Sequence, residues 1–217
     1  QVVAVCDVKK DQLELARTAV NTRYANSDCQ TYDDFRELLA RKDIDAVVLT
    51  HAHLDHCGYV PRLVKQGFGG RVHTTHFTAK LVEVILRDSA RIQVEDAEYA
   101  AKKKFSRHDP PIPLYDENDA ERAIQLLTTH DFEQRVDVAP NTTVIFHPAG
   151  HILGSAVVEI EFFGKRVLFS GDLGRNEHPI LVAPDPVPAG HFDAIICEST
   201  YGDREHVQPT SEFADII

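Results

Sequence analysis

Four possible metal ligands fall within six consecutive positions, His51-Ala52-His53-Leu54-Asp55-His56. Imidazole nitrogens and carboxylate oxygens bind Zn²⁺ at about 2.0–2.2 Å, and a site closes when three or four such groups converge from separate segments. In an extended segment residues i and i+2 point the same way, so His51 and His53 can chelate one ion while the following turn swings Asp55 and His56 toward a neighbouring one. Gly58 then permits a tight helix start. A lone histidine is ordinarily a surface or core residue, and His73, His76, His108, His130, His147, His178, His191 and His206 are read that way. Three histidines and an aspartate at this spacing, directly after an apolar run, are read as metal ligands.

Two further candidates sit in glycine-flanked loops. His151 lies in Ala149-Gly150-His151-Ile152-Leu153-Gly154-Ser155, and Asp172 in Ser170-Gly171-Asp172-Leu173-Gly174. Loops at strand ends are where sites are built. Spacing alone leaves open whether these two are ligands or ordinary loop residues.

The elements that must position these groups follow from periodicity. Val2 to Cys6 is an apolar run closed by Asp7, which reads as a buried strand. Leu13, Ala16 and Val20 recur at helical spacing, and Thr31-x-x-Asp34 resembles a capping box ahead of a second helix with Phe35, Leu38 and Leu39. Asp45 to Thr50 is a second buried strand that runs into the histidine cluster. Val60, Leu63 and Val64 mark a short helix. Leu81, Val84 and Ile85 begin a longer one reaching Lys102-Lys103-Lys104, with Pro110, Pro111 and Pro113 beyond it. Ala120, Ala123, Ile124 and Leu127 repeat at i, i+3, i+4, i+7 as a further amphipathic helix. The period then changes to that of strands: Thr143 to His147, the alternating segment Val158 to Phe162, Arg166 to Ser170 and Asp193 to Cys197.

Composition excludes several classes. The 217 residues carry 23 Lys+Arg against 34 Asp+Glu, a net charge of −11. Bulk charge therefore cannot hold a polyanion, and a nucleic-acid partner needs a local basic patch or a metal centre. No apolar run approaches the roughly 18 residues of a membrane span, so no membrane partner is expected. Cys6, Cys29, Cys57 and Cys197 form no C-x-x-C pair and fit reduced thiols in the cytoplasm. The chain opens at Gln1 and contains no methionine, so it reads as an excerpt of a longer one.

The H-x-H-x-D-H motif of His51 to His56 resembles that of the metallo-β-lactamase-fold hydrolases. Ala149 to Ala156 (AGHILGSA), Ser170 to Arg175 (SGDLGR) and Glu198 to Gly202 (ESTYG) together resemble its β-CASP branch of RNA-processing nucleases, and Asp88-Ser89-Ala90-Arg91-Ile92 to Tyr99 is similar to that branch too. The resemblance covers about Asp45 to the C-terminus. It implies that His51, His53 and His151 bind one zinc, that Asp55 and His56 bind a second, and that Asp172 bridges them. Glu198 would be the branch's motif-A acid. In that branch a hydroxide held between the metals attacks a phosphodiester, with Asp55 placed to accept or orient the water proton. The cations answer the charge objection, because the phosphate meets them despite the acidic chain. Lys102 to Lys104 and Arg107 are either a local basic patch or a solvated helix end.

The branch inserts its β-CASP domain after the ESTYG strand, and beyond that insertion lie a general-acid histidine and the last zinc ligand. This sequence ends at Ile217, so the second metal is expected to be incompletely ligated here. Residues 1 to 48 instead resemble the nucleotide-binding segment of the Gfo/Idh/MocA oxidoreductases, in which Asp7 would hold an adenosine ribose hydroxyl. The G-x-G-x-x-G loop is absent, so NAD binding is not expected and this front is read as hybrid.

The sequence thus predicts an α/β chain: a Rossmann-like βααβ segment over 1–44, then an incomplete metallo-β-lactamase αββα sandwich over 45–217. The expected activity is zinc-dependent cleavage of RNA, with Asp55 and Glu198 in catalytic roles. The alternatives are a same-fold hydrolase of a thioester or lactam, an NAD(P)-dependent oxidoreductase fragment, and a non-catalytic scaffold.

Overall fold

The computed structural model describes residues 4–6, 9–177, 180–200 and 202. Val2, Asp7, His178 and His206, named above, lie outside them, as does Tyr201 of the ESTYG segment. The chain divides into two compact units, 1–131 and 132–217.

The first unit opens with β1 (Ala4–Cys6), α1 (Lys10–Tyr24) and β2 (Gln30–Tyr32), the two strands pairing in parallel with Ala4 opposite Gln30. Parallel neighbours need a crossover, which α1 supplies. The helix buries Leu13 and ends on Ala25 in the left-handed conformation. The short α2 (Phe35–Leu39) follows, capped by Asp34, whose carboxylate accepts from Arg36 N at 2.9 Å. Thr31, expected to open a capping box, belongs to β2 instead.

A second parallel sheet has the order β3 (Ala46–Val48), β4 (Arg71–Thr75), β5 (Leu127–His130). The crossovers are α3 (Leu54–Cys57) with α4 (Val60–Lys65), and α5 (His76–Lys103) with α6 (Glu117–Ile124). Helix α5 begins five residues before the expected Leu81, because Thr75 caps it by accepting from Thr78 N at 3.3 Å. Helix α6 starts on a reciprocal capping box between Asp116 and Asp119. It stops at Ile124, so Leu127, expected on its apolar face, opens β5 instead. Val72, Val82, Leu86, Ala90, Ala120 and Ala123 are buried between sheet and helices. His73 Nδ1 lies 2.9 Å from His130 Nε2, the rings stacked at 5.2 Å. Burial pushes both imidazoles below their ordinary range, helped at His73 by His130 and Arg71 and at His130 by His76, which Asp131 opposes.

The second unit is one mixed sheet, ordered β10 (Ala194–Ile196), β9 (Lys165–Phe169), β8 (Ala156–Phe162), β7 (Thr142–Pro148), β6 (Val136–Ala139). All neighbours are antiparallel except β10, which runs parallel to β9. The β8–β9 hairpin closes over Phe163 and Gly164, both at positive φ, the requirement of a two-residue turn whose twist matches its strands. Val144, Phe146 and Val158 are fully or nearly fully buried. Glu159 is only 5% exposed, although it alternates with apolar neighbours. Its carboxylate accepts from Arg166 Nε at 2.8 Å and lies 3.4 Å from His147 Nε2, while His147 Nδ1 meets Glu133 at 2.6 Å.

This network ties stability to pH. Burial alone would raise the Glu159 carboxyl; the hydrogen bond and charge of Arg166, then His147, outweigh it and hold the group below its ordinary value. A depressed folded pKa means stabilisation that is present above the ordinary carboxylate range and lost as pH falls through the folded value. Glu159→Gln is expected to cost on the order of 2 kcal/mol at neutral pH, with the gap to wild type closing on acidification. Urea unfolding across a pH series measures it, and a pH-independent gap contradicts the assignment.

Candidate metal centre

Strand β3 ends at Val48, but the chain stays tied to the sheet for one residue more. Leu49 N donates to His73 O at 2.9 Å, and the Thr74 hydroxyl donates to Leu49 O at 3.0 Å. Two residues later His51 is fully buried. Its Nδ1 lies 3.1 Å from Thr50 Oγ1 and its Nε2 3.1 Å from His53 Nδ1. One histidine nitrogen is thus oriented by a hydroxyl while the other converges on a second imidazole, the arrangement that suits a chelating pair.

His53 is the N-cap of α3, extended at φ −61 and ψ 145, and its carbonyl accepts from His56 N and Cys57 N at 3.0 Å each. This turn sets the His56 ring against His51, centroids 4.1 Å apart. Asp55 Oδ2 is 3.5 Å from His56 Nε2, with the Asp55 side chain largely open to solvent. Cys57 points the other way: its Sγ donates to Ala52 O at 3.3 Å, and burial pushes the thiol up to about 12. Fully buried and bonded to a backbone carbonyl, this side chain serves as a packing residue. Gly58 is dictated by contact, since a Cβ there would lie 2.4 Å from Leu54 O.

In the second unit Ser155 closes the loop that carries His151. Its hydroxyl accepts from His151 N at 2.9 Å and Ile152 N at 3.2 Å, and its backbone bonds Ala149 and Ile152. Gly150 sits at φ +66 with no room for a Cβ beside Val182 O and Pro184 N. Asp172 follows Gly171, at φ +55, and its Oδ2 stands 3.6 Å from His151 Nε2. Glu198 braces the Asp172 loop from behind: its carboxylate accepts from Leu173 N at 2.6 Å, and its own N–H donates to Ser170 Oγ at 2.9 Å. The Gly174 N–H reaches Ala149 O at 2.8 Å.

Each unit therefore carries its own converging donors: His51, His53 and His56 with Asp55 beside them in the first, His151 with Asp172 in the second. A His/Asp set of this kind suggests a metal site. In the sequence reading Thr50 appeared only as the last residue of a strand, and Ser155 and Gly174 only inside motifs. A hydroxyl directly before the first histidine, and a serine four residues after His151 in a glycine-flanked loop, are the signals that could have found two of them.

The backbones of the His151 and Asp172 loops touch where no side chain fits, since a Cβ on Gly174 would fall 1.8 Å from Gly150 O. Gly174→Ala is expected to destabilise the chain by about 1–3 kcal/mol, the ordinary cost of forced overpacking. Gly69→Ala, at a position with nothing within 4 Å, is the control, and thermal unfolding of both variants reads the difference. Equal midpoints would contradict the loop contact.

Comparison with known proteins bears on these residues. A ribonuclease of Thermus thermophilus is 34% identical over 179 residues, covering 81% of this chain and 37% of that protein. The transcription termination factor FttA of Methanocaldococcus jannaschii is 31% identical over 177 residues, 80% of this chain and 26% of its own length. The cleavage and polyadenylation specificity factor 73 of Drosophila melanogaster is 34% identical over 171 residues, 78% and 23% respectively. The chain spans little more than a third, or less, of the length of these curated relatives. The family model of the metallo-beta-lactamase superfamily matches residues 27–200, a stretch that contains every donor described above. With its paired donors set on the ends of α/β strands, this chain belongs to the metallo-beta-lactamase superfamily.

Proposed function

We propose that the chain is the metal-binding part of a zinc-dependent ribonuclease of the β-CASP branch. The observation that carries the reading is the pair of donor sets, His51 Nε2 to His53 Nδ1 at 3.1 Å and His151 Nε2 to Asp172 Oδ2 at 3.6 Å, in a chain whose relatives include a protein named as a ribonuclease. Imidazole nitrogens with carboxylate oxygens, and no thiolate, are the donor chemistry of a hydrolytic zinc site. In this reading His51, His53 and His151 would hold one ion, Asp55 and His56 would hold a second, and Asp172 would serve both. The ions would supply Lewis-acid polarisation of the phosphate and a nucleophile available at neutral pH.

The remaining work falls to the chain. Thr50 and Ser155 orient the two histidines that their hydrogen bonds touch. Asp55, the most exposed member of the set, accepts or orients the proton of the attacking water. Glu198, read as the motif-A acid, acts here as a positioning residue: its bond to Leu173 N fixes the residue next to Asp172. RNA is the proposed substrate, since bound cations offset the repulsion between a chain of charge −11 and a phosphodiester. Among the described residues the four cysteines form no disulfide, in keeping with a reducing, cytoplasmic setting. Among the described residues no helix is long and apolar enough to cross a membrane.

The test joins metal content to cleavage. Elemental analysis of the purified chain is expected to give bound zinc, and a labelled single-stranded RNA is expected to be cut in a chelator-sensitive way. Asp172→Ala is expected to lower metal content at both positions and to cut cleavage roughly a hundredfold or more, beyond what loss of an orienting partner does, whereas His56→Ala spares the first ion. Equal metal loss in both variants contradicts the bridging role of Asp172, and chelator-resistant cleavage contradicts the metal reading.

A further inference from the structure

On a chain this acidic, cations are mostly neutralised by neighbours. Arg17, Arg87, Arg91, Arg122, Arg135 and Arg166 each pair with a carboxylate at 3.5 Å or less. The segment Tyr99 to His108 differs. Its ten residues hold Lys102, Lys103, Lys104 and Arg107 and no acid, and all four cations are exposed with no carboxylate partner among the described residues. Glu98 and Asp109 flank the segment without pairing to it.

The same stretch presents two aromatic rings to water. Tyr99 is 56% and Phe105 64% exposed. Lys104 ends α5 at φ +55, and the reversal sets Phe105 6.0 Å from Tyr99, the ring planes at 59°. Lys103 Nζ stands 5.8 Å from the Tyr99 ring. A solvated helix end accounts for Lys102 and Lys103, which the macrodipole favours in a last turn. It accounts neither for Arg107, beyond the helix, nor for two large rings left in water. Unpaired cations interleaved with exposed aromatic faces are what binds single-stranded nucleic acid: the cations track phosphates, and the rings accept stacked bases of any sequence.

We propose that Tyr99, Lys102, Lys103, Lys104, Phe105 and Arg107 form an exosite for single-stranded RNA, separate from the metal ligands. The proposal rests on the ribonuclease reading for its choice of RNA. The exosite lets an acidic protein hold a polyanion through one short segment and leaves base-pairing edges unread, so it adds affinity without sequence preference.

Fluorescence anisotropy of a labelled single-stranded oligoribonucleotide with the full chain tests it, in chelator so that binding is read without cleavage. In the Lys102→Gln/Lys103→Gln/Lys104→Gln variant the slope of log affinity against log salt should fall by roughly 2, at about 0.7 per phosphate contact on a single strand. Tyr99→Ala/Phe105→Ala should weaken binding roughly tenfold or more at every salt concentration with the slope kept, and should not affect a duplex of the same length. Melting of each variant as for wild type shows that the fold is intact. Absence of wild-type binding, or an unchanged slope in the lysine variant, overturns the exosite. So does a silent aromatic variant with polyglutamate competing as well as RNA, which would mark the segment as an attractor for acidic partners at large. Cleavage with metal present is scored separately: unchanged binding in the variants beside normal wild-type cleavage overturns the exosite alone, and exosite-dependent binding without cleavage supports the exosite and overturns the ribonuclease reading.

Discussion

The backbone bond from Leu49 N to His73 O decides what the histidine cluster can do. Side chains alternate along a strand, so a slip of one residue in where the chain leaves the sheet would send His51 and His53 to the opposite face together. The Thr74 hydroxyl on Leu49 O adds a second tie at the same residue. Beyond it the chain turns at once into α3, and that single helical turn closes as it does because its C-cap, Gly58, has no Cβ to meet Leu54 O. The donors are therefore placed by a register and a steric allowance, both set by residues that have no ligand chemistry of their own.

The first cluster of donors was legible because local spacing carried it. His51 to His56 lie within one strand end and one turn, and their convergence follows from periodicity alone. His151 and Asp172 lie 21 positions apart, and what joins them is the pairing of β7, β8 and β9, which no window of sequence displays. Their glycine-flanked loops made them candidates, and only the resemblance to the β-CASP branch gave them a role. Thr50 and Ser155 stayed hidden because a hydroxyl that orients a histidine looks like any other hydroxyl.

The elements divide along the same line. Strands with continuous apolar or β-branched runs, β3, β7 and β9, were readable. Strands β4 and β5, Arg-Val-His-Thr-Thr and Leu-Thr-Thr-His, were not: β4 buries polar side chains that look exposed in sequence, and β5 is a short polar segment whose residues are half-buried or exposed. His73, Thr74 and Thr75 are all buried, the first satisfied by His130, the second by Leu49 O. The three-residue β2 offered too short a pattern. Leu127 shows the opposite error, a helical period carried past the end of its helix into a strand. In each case a partner distant in sequence outweighed the local preference.

The contact between Gly150 and Gly174 has a thermodynamic consequence for whatever binds there. Two loops whose backbones touch, with Gly174 N bonded to Ala149 O, cannot wander independently. The entropy of holding an imidazole and a carboxylate 3.6 Å apart is then lost when the chain folds and is not charged again against ligand binding. Glycine is usually the residue that loosens a chain. In this pair it does the reverse: by letting two backbones meet, it converts a pair of loops into a single preorganised jaw.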